Sequence, residues 1–81
     1  MNPYIKEQLK DLTDDNIQQK LGELISSIKG NYADNNQTEL LFIYHNRIFP
    51  NQQEHTKSCS SCRERVYNRL KEYNNKNINQ E

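Results

Sequence analysis

Tryptophan is absent from this chain, and glycine, proline and cysteine occur only twice each. Two cysteines cannot build the disulfide framework of a small secreted domain. No apolar run approaches the roughly 18–20 residues that cross a bilayer, so no membrane partner is expected. The first residues, Met-Asn-Pro-Tyr-Ile-Lys-Glu-Gln, have neither the basic start nor the apolar stretch of a signal peptide, and the expected location is a reducing cytoplasm. No segment alternates apolar and polar residues in the company of strand partners, and no internal repeat is visible. Net charge is zero, from 11 basic and 11 acidic residues, which argues against strong non-specific attraction to nucleic acid. Core material is also scarce. Leu, Ile, Val and Phe number 17 among 81 residues, enough for one small domain. A core of that size supplies roughly 3–5 kcal/mol without a staple, so help from a metal, an oligomer or a larger partner is expected.

What is present is helical patterning. Asn2-Pro3 suits a helix start, an N-cap followed by proline at the first helical position, and Tyr4, Ile5, Leu9 and Leu12 give that helix an apolar side. Thr13 is a second cap, with Asp14 and Asp15 complementing the positive end of the helix dipole. Ile17, Leu21, Leu24, Ile25 and Ile28 then form one apolar stripe at helical spacing, closed by Gly30-Asn31. Residues 31–37 read as a polar loop. A third helix is expected from about Thr38, almost ringed by Leu40, Leu41, Phe42, Ile43, Tyr44, Ile48 and Phe49 and stopped by Pro50. After a polar connector at 51–57, Ser58 suits the cap of a fourth helix reaching about Tyr73. The predicted fold is all-α, a small bundle of about four short helices with metal stapling as an option. One domain is expected over residues 1–73, followed by a disordered polar tail at 74–81. Leu21, Leu24, Ile28, Leu41, Ile48, Val66 and Leu70 are the predicted core. Leu40 and Ile43 lie on the opposite side of the third helix and predict self-association or a protein partner.

Chemistry concentrates near the fourth helix. Cys59 and Cys62 are the only cysteines, and they share a helical face with Val66, Leu70 and Tyr73 within about 80°. Antiparallel packing of the third and fourth helices would bring His45 or His55 towards them. Cys59, Cys62, His55 and His45 would then make a four-ligand set of the kind that holds zinc, with the helix dipole favouring thiolate. Two further readings stand beside zinc: inert buried thiols with a core histidine, and a redox dithiol. A structural disulfide is the weakest, because so small a ring removes little chain entropy. His45-Asn46-Arg47 has no second His-Asn pair, and no catalytic constellation is visible, so no enzyme is expected.

Charge is unevenly placed. Residues 1–40 hold four lysines against seven acidic residues, a net −3, and residues 41–81 hold seven basic against four acidic, a net +3. Lys57, Arg63, Arg65, Arg69 and Lys71 against Glu64 make residues 57–71 a basic helix of net +4. Such a helix suits nucleic acid or an acidic partner, or its guanidiniums pair with the acidic N-terminal half.

The run Tyr44-His45-Asn46-Arg47-Ile48-Phe49-Pro50, followed by Ser58-Cys59-Ser60-Ser61-Cys62-Arg63, resembles small uncharacterised proteins of tailed bacteriophages over roughly residues 40–73. The resemblance implies a phage context, a virion component or a host-takeover factor, in the virion or the host cytoplasm. It carries over no residue roles. The leading expectation is a small helical binding or structural module within a larger assembly. The alternatives are a zinc-stabilised nucleic-acid-binding protein and a dithiol redox protein.

Overall fold

The first backbone N–H groups of a helix have no partner within it, and side chains supply one at the start of the third and fourth helices of this chain. The computed structural model describes residues 3–28 and 33–78. The first helix, α1, spans Pro3–Lys10 with its proline at the first position, while the Asn2 cap lies outside the described residues. Helix α2 spans Ile17–Ser27. One turn ahead of it, Thr13 Oγ1 accepts the Asn16 N–H at 3.2 Å and Asn16 Oδ1 accepts the Thr13 N–H at 2.7 Å. That reciprocal pair closes the turn ahead of α2, whose N-cap is Asn16 rather than the expected Thr13 and makes no side-chain bond to the helix's first N–H groups. The expected stop at Gly30-Asn31 lies outside the described residues.

Helix α3 spans Asn35–Ile48 and starts three residues before the expected Thr38. Asp34 and Gln37 explain the difference. Gln37 N–H donates to Asp34 Oδ1 at 2.7 Å, and Asp34 N–H donates to Gln37 Oε1 at 2.9 Å, a capping box inside what reads as loop. Pro50 ends α3 as expected and opens a 3-10 turn over Pro50–Gln52. The last helix, α4, spans Ser60–Ile78 and continues five residues past Tyr73. Its cap is Cys59 rather than Ser58, for Cys59 Sγ accepts the Cys62 N–H at 3.1 Å. Asn74, the first residue of the supposed tail, lies against α2. A Cβ added to Gly22 would stand 3.3 Å from Asn74 Oδ1. Residues 79–81 lie outside the described part.

The fold is all-α, with four α-helices and no strand among the described residues. Helix α3 is central and packs against each of the other three. Its near-complete apolar ring is the reason, because Leu40, Leu41, Phe42 and Tyr44 are all buried although they point to different sides. Ile5 comes in from α1, Ile17, Leu21 and Leu24 from α2, and Val66 and Leu70 from α4. Ile28, just beyond α2, is also buried, and of the predicted core only Ile48 is half-exposed.

The side of α3 on which Leu40 and Ile43 were expected to be exposed is covered within the monomer. Leu40 is 1% exposed and Ile43 is half-buried within the monomer. Tyr4 and Gln8 of α1 join Lys20, Glu23, Leu24 and Ser27 of α2 or its end over Leu40 and Tyr44. Two short helices therefore cover the side that the sequence left open. Burial in that corner, with the Tyr4 hydroxyl and the Glu23 carboxylate nearby, raises the Tyr44 hydroxyl above its ordinary pKa of 10.0.

Candidate functional site

Direction decides what meets what between α3 and α4. His45 touches Arg69 and Phe49 meets Tyr73, so contacts advance by one turn on both helices together. The helices run the same way rather than antiparallel. The connector must therefore travel back along α3, and Lys57 Nζ, 3.4 Å from Glu39 Oε1, marks its return to the first half of that helix. Eleven residues from Phe49 to Cys59 reach up to about 36 Å when extended, against roughly 21 Å for the 14 residues of α3.

Asn46 starts the return. Its Nδ2 donates to Glu54 O at 2.8 Å, and its Oδ1 accepts the Glu54 N–H at 2.9 Å. The side-chain amide thus does for Glu54 what a neighbouring backbone would do. The carboxylate of Glu54 then holds Arg65 Nε at 3.0 Å.

His45 is fully buried beside this clamp. Arg69 Nη1 lies 3.1 Å from its Nε2, and Asn46 Oδ1 lies 2.9 Å from its Nδ1. A guanidinium only donates, so Nε2 accepts and the proton sits on Nδ1, where it is donated to Asn46. The ring packs 5.3 Å from Phe49, which in turn meets Tyr73 edge-on at 6.1 Å. Both ring nitrogens are occupied, and neither is turned to a cysteine.

The zinc set does not assemble. Cys59 and Cys62 are paired with each other at disulfide distance across the first turn of α4. This is the pairing that the ring-entropy argument ranked last. Arg69, the partner of His45, lies seven residues beyond Cys62, roughly 10 Å along the helix. His55 is exposed, with its Nε2 3.2 Å from Gln53 Oε1. No group of three or more His, Cys, Asp or Glu side chains is placed to hold a metal among the described residues. The antiparallel hairpin was the premise of the site, and the co-directional packing removes it.

The basic helix is used internally. Lys57 pairs with Glu39, Arg65 with Glu54, and Arg69 with His45. Lys71 Nζ stands 5.0 Å over the Tyr67 ring, and Arg63 Nη2 donates to Ser60 Oγ at 3.4 Å. Arg47, outside that run, reaches back to Asp14 at 3.1 Å. The pairs 47/14 and 57/39 join the basic half to the acidic half. Each is partly solvated and worth about 0–1 kcal/mol.

One concave feature is a cleft of about 770 Å³ between the N-terminal halves of α3 and α4. Leu41, Phe42 and Tyr67 supply its apolar lining, and Asp34, Arg63, Glu64 and Asn68 supply polar groups. The Cys59–Cys62 turn borders it through Ser60. Asn46, Glu54 and this cleft went unnoticed in the sequence. The charges at 63 and 64, beside the aromatic at 67 on one helix, are the signal that could have marked the cleft. No helix among the described residues is long and apolar enough to cross a membrane. Comparison with protein families, curated proteins and solved structures gave no match to this chain.

Proposed function

We propose that this chain is a small helical binding module that docks a segment of another protein in the α3–α4 cleft, as one component of a larger assembly. The observation that carries this reading is the lining of the cleft. Its size falls in the range of roughly 300–1,000 Å³ typical of binding sites, and it pairs an apolar floor with a few charged groups. Two carboxylates, Asp34 and Glu64, face it against one guanidinium, Arg63. The matching occupant has one large apolar side chain for Phe42 and Tyr67 and a Lys or Arg within a few residues of it. Internal pairing of the cations on α4 favours a protein partner over nucleic acid, because phosphate contact would have to break those pairs.

Selection of a random peptide library on the immobilised full chain tests this. The expected result is enrichment of an aromatic or aliphatic anchor close to a basic residue. Binding should be lost in Asn68→Trp, which fills the cleft from an exposed position, and weakened in Glu64→Lys. Selected peptides without that pattern, or peptides indifferent to both changes, would overturn the assignment.

A further inference from the structure

We infer that Cys59 and Cys62 form a reversible dithiol–disulfide couple that exchanges with the thiols of other molecules. The pairing itself is the first observation. Access is the second. Both cysteines are half-buried, and Thr56, Lys57, Ser58, Ser60 and Ser61 around them are exposed, so an incoming thiol reaches the bond without opening the core. The third is the setting of each sulfur. Cys59 Sγ accepts the Cys62 N–H at 3.1 Å at the positive end of α4, where a thiolate gains most from the helix. Cys62 packs against the core and has Arg65 Nη2 3.6 Å from its sulfur. Core packing and Arg65 at Cys62 make Cys59 the sulfur that an incoming thiolate attacks and Cys62 the one to leave. The helix end then makes Cys59 a good leaving thiolate when the mixed disulfide is resolved. The fourth is energetic. A bridge closing so short a ring removes less chain entropy from the unfolded state than one that closes a long loop. Finally, among the described residues no third His, Cys, Asp or Glu joins the pair to divert it to a metal.

The exchange balances as follows. A thiolate RS⁻ attacks Cys59 Sγ, forming an R–S–S–Cys59 bond as the Cys59–Cys62 bond breaks. The electron pair leaves on Cys62 Sγ, which Arg65 faces, and that sulfur takes a proton from water. A second thiolate attacks the sulfur of R, forming a disulfide between the two substrate sulfurs and releasing Cys59 as thiolate. Two thiols are oxidised, and the cysteine pair gains two electrons. The reverse sequence reduces a disulfide.

The test uses the full chain equilibrated in glutathione buffers from fully reduced to fully oxidised, with free thiols alkylated and counted by mass spectrometry. The expected result is a single two-electron transition within that range. Oxidised glutathione should trap a lasting mixed disulfide at Cys59 in Cys62→Ser. In Cys59→Ser, trapping at Cys62 should be at least about tenfold slower. A parallel arm offers a reduced peptide dithiol, and its rate against that of glutathione assigns the preferred thiol to proteins or to small molecules. Thiols that stay alkylatable in oxidised glutathione, or a bond that resists excess dithiothreitol, would overturn the couple without needing any variant. Equal trapping in the two variants would overturn the assignment of attack to Cys59.

Discussion

At one end of the α3–α4 pair, His45, Asn46, Glu54 and Arg69 are hydrogen-bonded in a chain around a buried ring. At the other end, Ser60, Arg63 and Glu64 line an open cleft beside the turn that holds two half-buried cysteines. Both ends draw on the same residue types, a polar run on α3 and a basic run on α4. Connectivity separates them. The connector leaves α3 at the closed end and is clamped there by Asn46, so the polar groups at that end must satisfy each other out of water. At the far end α4 starts afresh from an exposed turn, and nothing in the described chain crosses the cleft. The thin core is protected where the chain is tied, and reactive groups sit where it is not.

The contrast can be broken most strongly through α4 itself. Leu70 is fully buried, so Leu70→Ala should cost about 2–5 kcal/mol in chemical denaturation. Asn68→Trp, two residues earlier on the cleft side, should change stability by less than about 0.5 kcal/mol. Similar losses in the two variants would erase the distinction between the ends.

The clamp comes next. Asn46→Ala removes both partners of the Glu54 backbone and the acceptor of His45 Nδ1, and should cost about 1–3 kcal/mol. Hydrogen exchange should show the Glu54 amide losing protection while the first turn of α4 keeps its own. Loss spread evenly over both would mean that the closed end is not a separate unit.

The smallest effect has the opposite sign. Gly22→Ala removes a helix-weakening residue, and the neighbour at 3.3 Å is the end of the Asn74 side chain, which can rotate away. A gain of about 0.5–1 kcal/mol in thermal or chemical unfolding is expected. A loss would show that Asn74 is held as firmly as the groups around His45.

Much of this architecture was legible in the residues. Pro50 and the stripe Ile17, Leu21 and Leu24 announced their elements, and the apolar ring of α3 marked a helix that is either central or meets another chain. Asp34 and Gln37 also spell a helix start. They were masked by the polar composition around them, as were residues 74–78 at the end of α4, where Asn74 packs on Gly22. Direction was the harder matter. A connector from Phe49 to Cys59 is long enough to turn tightly or to run back along α3, and no local propensity chooses between these. That choice decides whether His45 faces Cys62 or Arg69, so the candidate metal site failed with the assumed hairpin. Leu40 was misjudged for a related reason, since only tertiary packing shows that α1 reaches over it.

The shared direction of α3 and α4 also bears on how the chain reaches this state. An antiparallel neighbour could zip onto α3 from a short turn, each contact shortening the loop for the next. Here every α3–α4 contact, 45 with 69 or 49 with 73, closes a loop of the same length, so early contacts do not make later ones cheaper. The clamp from Asn46 to Glu54 breaks that uniform search into two steps, a short closure of eight residues and then the docking of a helix that is already aimed. A hydrogen-bonded asparagine thereby shortens the loop that the docking of α4 has left to close.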